Sequence, residues 1–152
     1  MSTATAIRNP TEDTKKAFDH HLGAFAKGLD ELMVDYDESS VLVTLDRTFT
    51  GLAEIRSFFE AFIDGADPKF WDSFKIVNST VTGEVAYLAW EAKPWVSLAT
   101  DTLVVKADKI SVQTFTTFTT QQRSLPSGHE WQPCPPAGLI DKFLGDKHVE
   151  KT

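Results

Sequence analysis

The apolar residues of this chain change their spacing part-way along it. Phe18, Leu22, Phe25, Leu29 and Leu32 recur every three or four positions, as do Ile55, Phe58, Phe59 and Phe62, whereas beyond residue 70 apolar and polar residues alternate through four long stretches. The first spacing places side chains on one face of a helix and the second on one face of a strand. Helices followed by a meander of neighbouring strands imply an α+β chain, with helices on one side of an antiparallel sheet.

Boundary signals sharpen the pattern. Asn9-Pro10-Thr11-Glu12 reads as a helix start, with Asn9 as cap and Pro10 at the first helical position. Gly28 predicts the end of this helix near Lys27 and a short second helix over Asp30 to Val34. Ser40 to Leu45 is β-branched and alternating, Asp46-Arg47 is a turn, Thr48 to Thr50 a short strand, and a third helix runs from Gly51 to Gly65. Strands are predicted at about Trp71 to Thr82, Glu84 to Lys93, Trp95 to Ala107 and Ile110 to Thr120, with turns at Gly83, Lys93-Pro94 and Asp108-Lys109. From Gln121 onward Pro126, Pro133, Pro135 and Pro136 keep the chain irregular until a short helix over Ala137 to Leu144. We read this as an extension of a single domain, 1–152, whose core is about 11–120.

At 152 residues the chain can bury a continuous core without disulfides or metals. Its net charge of -7 opposes binding to nucleic acid and to anionic membrane surfaces, and no apolar run approaches a membrane span. A sole cysteine, Cys134, and an opening without a basic-then-apolar signal point to the cytoplasm. His20, His21, His129 and His148 lack the spacing of metal ligands, and no cofactor motif is present. Neither a metal nor a cofactor is expected.

Alternation assigns inner faces. Ala86, Leu88, Trp90 and Ala92 form one apolar set, and Ala99, Asp101, Leu103, Val105 and Ala107 another, so that Asp101 sits among apolar neighbours. Val96, Leu98 and Val112 fall outside. In the first and last strands hydrophobicity alone does not choose between the two faces.

Three runs then carry a family resemblance: His21-Leu-Gly-Ala-Phe-Ala-Lys-Gly28, Leu29-Asp-Glu-Leu-Met-Val-Asp-Tyr36, and Gly51-Leu-Ala-Glu-Ile-Arg-Ser-Phe-Phe59. In order and spacing, from about Thr11 to Thr120, the chain resembles the nuclear transport factor 2-like (NTF2-like) superfamily, particularly its SnoaL-like branch, related to ketosteroid isomerase and polyketide cyclases. The resemblance implies a cone in which a strongly curved antiparallel sheet wraps the long N-terminal helix, with two further helices, an internal cavity, and a homodimer. Counted by the ketosteroid isomerase pattern, the oxyanion-binding tyrosine falls at His21, the general-base aspartate at Thr44 and the second oxyanion acid at Asp101. Only Asp101 keeps its chemistry. This register turns Leu42, Thr44 and Asp46 inward together with Gln113, Phe115 and Thr117.

A carboxyl in an apolar cavity has its charged form disfavoured and can donate a hydrogen bond to a substrate oxygen, as in ketosteroid isomerase. Asp101 is therefore the candidate acid, with His21 or Asp46 as proton acceptor. Tyr36, Thr44, Phe59, Trp90, Phe115 and Thr117 are candidates for binding a hydrophobic small molecule. The plain structural readings stand beside these: a satisfied core histidine, a turn aspartate, strand threonines and core aromatics. The function expected is acid-base chemistry of isomerase, cyclase or dehydratase type on a hydrophobic carbonyl or polycyclic substrate. The alternatives are a non-catalytic ligand-binding protein and a dimeric interaction module.

Overall fold

Helix α1 (Pro10–Ala24) begins where the Asn9 side chain accepts a hydrogen bond from Thr11 N, at 3.2 Å, with Pro10 at the first position. In this computed structural model, which describes residues 9–119, α1 is followed by a turn that ends at Gly28, whose φ of 117° suits glycine. Helix α2 (Leu29–Met33) follows. Strands β1 (Val41–Thr44) and β2 (Thr48–Thr50) form a hairpin leading into α3 (Gly51–Asp64), where the Glu54 carboxylate accepts from Thr50 N at 2.8 Å. The break at Gly28 and the start at Gly51 are where the sequence places them.

A fourth helix, α4 (Pro68–Ser73), takes residues that the sequence assigns to a strand beginning at Trp71. Asp67 caps it by accepting from Lys69 N at 2.8 Å, and Pro68 is its first residue, so it repeats the Asn9-Pro10 device. The meander follows as β3 (Phe74–Thr82), β4 (Val85–Ala92), β5 (Val96–Lys106) and β6 (Lys109–Phe118).

One curved, unclosed sheet of six strands results, in the order β2-β1-β6-β5-β4-β3. Its pairings are antiparallel except one: β1 lies parallel to β6, with Leu42 beside Gln113 and Thr44 beside Phe115. The purely antiparallel expectation is corrected at that pair. Parallel neighbours need a crossover, and here α3, α4 and the meander supply it. Helix α1 packs across β3, β4 and β5. Its first turn is tied to the β3–β4 hairpin by hydrogen bonds from Thr14 Oγ1 to Gly83 O (2.7 Å) and from Gly83 N to Thr11 Oγ1 (3.0 Å).

Alternation holds through the middle of β4 and β5, where Ala86, Leu88, Trp90, Ala99, Asp101, Leu103 and Val105 are all buried. It fails at the ends. Between Trp90↔Ala99 and Ala92↔Val96 strand β5 carries an extra residue, and this bulge turns Val96 into the core instead of outward. Ala107 belongs to the β5–β6 turn, with φ 49°, and not to the inner face.

Ser40 locks β1 to β6 at its entry. Its hydroxyl donates to Ile110 O at 2.7 Å and accepts from Asp37 N at 2.9 Å, with no exposure to solvent. Ser40→Ala is expected to cost about 1–3 kcal/mol, because a part-buried N–H and a buried carbonyl both lose a partner. Urea denaturation measures the loss as a lower midpoint at unchanged slope. No helix among the described residues is long and apolar enough to cross a membrane.

Candidate functional site

Between α1, α3, α4 and the concave side of the sheet lies a cavity of about 400 Å³. Its walls are mainly aromatic: Phe25 from the end of α1, Phe58, Phe59 and Phe62 from α3, Phe70 and Trp71 from α4, and Trp90 and Phe115 from the sheet. Their rings meet mostly edge to face at 5.2–6.4 Å, the geometry that aromatic quadrupoles favour. A period of three to four on α3 and a period of two on the sheet converge here because both elements bury their apolar face.

Against this wall stand three polar side chains, His21, Asp101 and Gln113. Asp101, only 6% exposed, accepts from Trp90 Nε1 at 2.8 Å on one oxygen and from Gln113 Nε2 at 2.9 Å on the other. Gln113 is in turn bonded through its amide oxygen to the hydroxyl of buried Tyr36, which donates. The carboxylate accepts only, so it requires the amide NH₂ on its side, and that leaves the amide oxygen for Tyr36. Burial raises the Asp101 pKa above the usual aspartate value, opposed by the Trp90 and Gln113 hydrogen bonds and by the nearby charge of His21. Burial, with the negative charges of Asp35 and Asp101, pushes Tyr36 well above the usual tyrosine value. Tyr36 therefore stays a donor.

His21 is buried, ringed edge-on by Phe25, Tyr36 and Phe59 at 5.4, 5.9 and 6.1 Å. Its Nδ1 lies 3.3 Å from Asp35 Oδ2, and neither atom has an aligned hydrogen bond. The other oxygen of Asp35 is 2.6 Å from Nδ1 of His20, whose Nε2 is 2.9 Å from Glu31 Oε1. His20 is half-buried and its pKa is raised, first by the bond to Glu31 and then by the bond to Asp35.

The structure thus brings Asp101, His21, Phe59, Trp90 and Phe115 to one cavity. Tyr36 lies one hydrogen bond behind Gln113 rather than in the lining. Asp46 and Thr44 require correction: β1 ends at Thr44, whose hydroxyl donates to Arg47 O at 2.9 Å, so the strand face does not extend to Asp46, which is exposed in the turn. Thr117, beside Ala99 toward the end of β6, is half-buried and outside the lining. Trp95, expected to open the third long strand, sits in the β4–β5 turn with its ring 6.2 Å from that of Phe70. Trp131, Cys134, His129, His148 and the helix expected over 137–144 lie outside the described residues.

Sequence reasoning turned Gln113 inward without giving it a part, weighed His20 only as a metal ligand, and passed over Asp35. A usable signal existed: Asp35 precedes Tyr36, and two adjacent histidines on α1 must point in different directions, so that only one of them, His21, lines the cavity. Among the described residues no three His, Cys, Asp or Glu side chains are placed to share a metal ion.

No family model matches the chain, and no curated protein does. Solved structures do. An NTF2-like protein of unknown function from Burkholderia xenovorans superimposes with a TM-score of 0.60 at 11% identity, covering 95% of this chain and 99% of that one. A candidate ketosteroid isomerase from Kribbella flavida gives 0.56 at 13% identity over 95% and 92%. A candidate polyketide cyclase from Sinorhizobium meliloti gives 0.55 at 17% identity over 69% and 97%. The chain has the NTF2-like cone fold, the class of scaffold on which isomerase, cyclase and hydrolase sites are built as well as sites of unknown use.

Proposed function

We propose that this protein is a SnoaL-like small-molecule enzyme performing acid-base chemistry, of isomerase, cyclase or dehydratase type, on a hydrophobic carbonyl or polycyclic substrate. One observation carries the reading. A carboxyl group is held by two donors in an aromatic cavity whose other ionisable lining group is a histidine. Each Asp101 oxygen accepts one hydrogen bond and keeps a second lone-pair site, so the protonated acid, favoured by burial, still has a direction in which to donate. A carbonyl oxygen placed there is polarised, and the proton on the adjacent carbon becomes acidic enough for His21 to accept. Asp46 drops out as the acceptor. No metal or cofactor enters this reading.

The partner is a hydrophobic small molecule, and the working compartment we assign is the cytoplasm, from the single cysteine in 152 residues. A homodimer belongs to the same proposal. The convex side of the sheet pairs Leu98 with Phe118 and Val85 with Val104, and leaves Leu98, Phe118 and Val85 exposed. Light scattering is expected to give twice the chain mass, and a monomer at high micromolar concentration overturns that part.

The test needs no natural substrate. A bicyclic aromatic ketone titrated into the protein is expected to quench tryptophan fluorescence, through Trp90 and Trp71, and in D₂O to exchange the protons beside its carbonyl. Leu103→Trp, which fills the cavity from β5, is expected to abolish both signals. Exchange at the wild-type rate in His21→Ala and in Asp101→Asn would show the mechanism to be wrong. Binding without any exchange would make the protein a ligand carrier.

A further inference from the structure

His20 and His21 are neighbours on α1, yet both address the same carboxylate. Asp35 gives one oxygen to His20 at 2.6 Å, while its other oxygen stands 3.3 Å from His21 Nδ1, misaligned. The two orphaned atoms face each other. Buried polar atoms left without partners are costly, and these two could satisfy one another after a small rotation of the carboxylate. What holds the carboxylate away is His20.

A neutral imidazole carries one N–H, so it can donate to one carboxylate only. His20 has a carboxylate oxygen at each ring nitrogen, Asp35 at 2.6 Å and Glu31 at 2.9 Å, and this arrangement requires the doubly protonated imidazolium. The clamp therefore exists only while His20 is charged. Once the Nδ1 proton leaves, Asp35 faces a bare lone pair and that contact becomes repulsive, while Nε2–H stays on Glu31.

We infer that His20 is a pH-operated positioning residue: its imidazolium engages Asp35 and Glu31, and its deprotonation frees Asp35 to accept a full hydrogen bond from His21 Nδ1–H, leaving Nε2 of His21 as the lone pair offered to the cavity. Asp35 is then the group that sets the tautomer of the cavity histidine, and His20 decides when it does so. The inference rests on His21 being the proton acceptor of the proposed reaction, since only then does its tautomer matter to turnover. The sign follows from the charges. Both carboxylates raise the His20 pKa above 6.5, so the release comes above the range of an ordinary histidine and the cavity base is aligned on the alkaline side.

Other charges face this cluster from each side. Lys27, after α1, is 3.9 Å from Glu31. From β6, Lys109 donates to the carbonyl of Val34, next to Asp35. Asp35 itself acts on Tyr36, and His21 acts on Asp101. The group whose titration moves Asp35 is the one bonded to it, His20, at 2.6 Å.

Long-range ¹H–¹⁵N NMR on the full chain, labelled at histidine, tests this without a substrate. In the wild type a downfield, slowly exchanging Nδ1–H resonance of His21 is expected to appear as pH rises through the His20 midpoint. In His20→Ala, a helix-compatible change at a half-exposed site, it is expected at every pH of the series. In Glu31→Gln its appearance is expected to move down by roughly half a unit or more, because His20 loses one of its two anions. Asp35→Leu is expected to abolish it. A resonance that is pH-independent in the wild type, or absent in His20→Ala, overturns the inference. These readouts stand apart from catalysis: should the ketone show no exchange, the function reading fails while the switch remains measured.

Discussion

Asp101→Asn is expected to bind the bicyclic ketone and to exchange its protons about 10²–10³-fold more slowly than the wild type, because an amide N–H replaces an acidic O–H as the donor at the developing oxyanion. The asparagine keeps the shape of the site, and its amide can still accept from Trp90 or Gln113, but it has no acid proton to give. Binding should therefore change little while the exchange rate falls, the signature of an interaction made mainly in the transition state.

The same substitution has a stability readout whose sign is fixed. In the folded protein burial raises Asp101 above the ordinary value of 3.8. Between these two values the native state holds more protons than the unfolded chain, so the contribution of Asp101 is fully present below the ordinary value and is lost as pH rises through the folded one. Relative to wild type, Asp101→Asn is thus expected to gain stability as pH increases across that window and to hold a constant difference outside it. Paired thermal melts between pH 3 and 8 measure the difference. A constant difference throughout means that the folded carboxyl is solvated.

How much of this was legible in the residues depended on whether a local rule held without interruption. Asp101 was legible because β5 keeps strict alternation from Ala99 to Val105 and one face is apolar. Trp90 was legible for the same reason on β4. The rule failed where backbone geometry intervened: one extra residue in β5 turned Val96 inward, and the early end of β1 left Asp46 in solvent, although the family register had turned it into the cavity. Helix α4 was missed although Asp67-Pro68 announces it as plainly as Asn9-Pro10 announces α1. There Trp71 opens the expected strand, and six residues are too few to display a helical period.

Polar partners were less legible than apolar ones. Hydrophobic patterning says which way a side chain points, but a hydrogen bond depends on what another element brings opposite it. Gln113 was turned inward by register, yet its position between Tyr36 and Asp101 follows from the pairing of β5 with β6 and from the parallel docking of β1, neither of which is a local property. The His20–Asp35–His21 cluster likewise joins residues of α1 to the segment after α2, and the turn geometry at Gly28 decides that contact.

Gln113→Leu is the substitution expected to damage the fold most for a single polar change. It removes the donor to Asp101 and the acceptor of Tyr36 together, leaving one buried hydroxyl with no partner and one carboxyl with a single donor. A buried hydroxyl left unpaired costs about 1–3 kcal/mol and a bond to a charged group is worth about 1.5–3 kcal/mol, so a loss of about 2–4 kcal/mol is expected once Asp101 partly escapes by taking up a proton. Tyr36→Phe alone should cost about 1–2 kcal/mol, because the Gln113 oxygen loses its donor. In the double variant the hydroxyl that had nothing to bind is gone, and the total is expected to fall below the sum of the single losses by about 1–2 kcal/mol. The shift of Asp101 provides a second check. With one donor fewer its charged form is held less well, so the pH window of the Asp101-dependent stability difference must move upward in Gln113→Leu and stay nearly in place in Tyr36→Phe, where Gln113 still donates. Additive losses, or a window that moves equally in both variants, would mean that Tyr36, Gln113 and Asp101 do not act as one chain of hydrogen bonds.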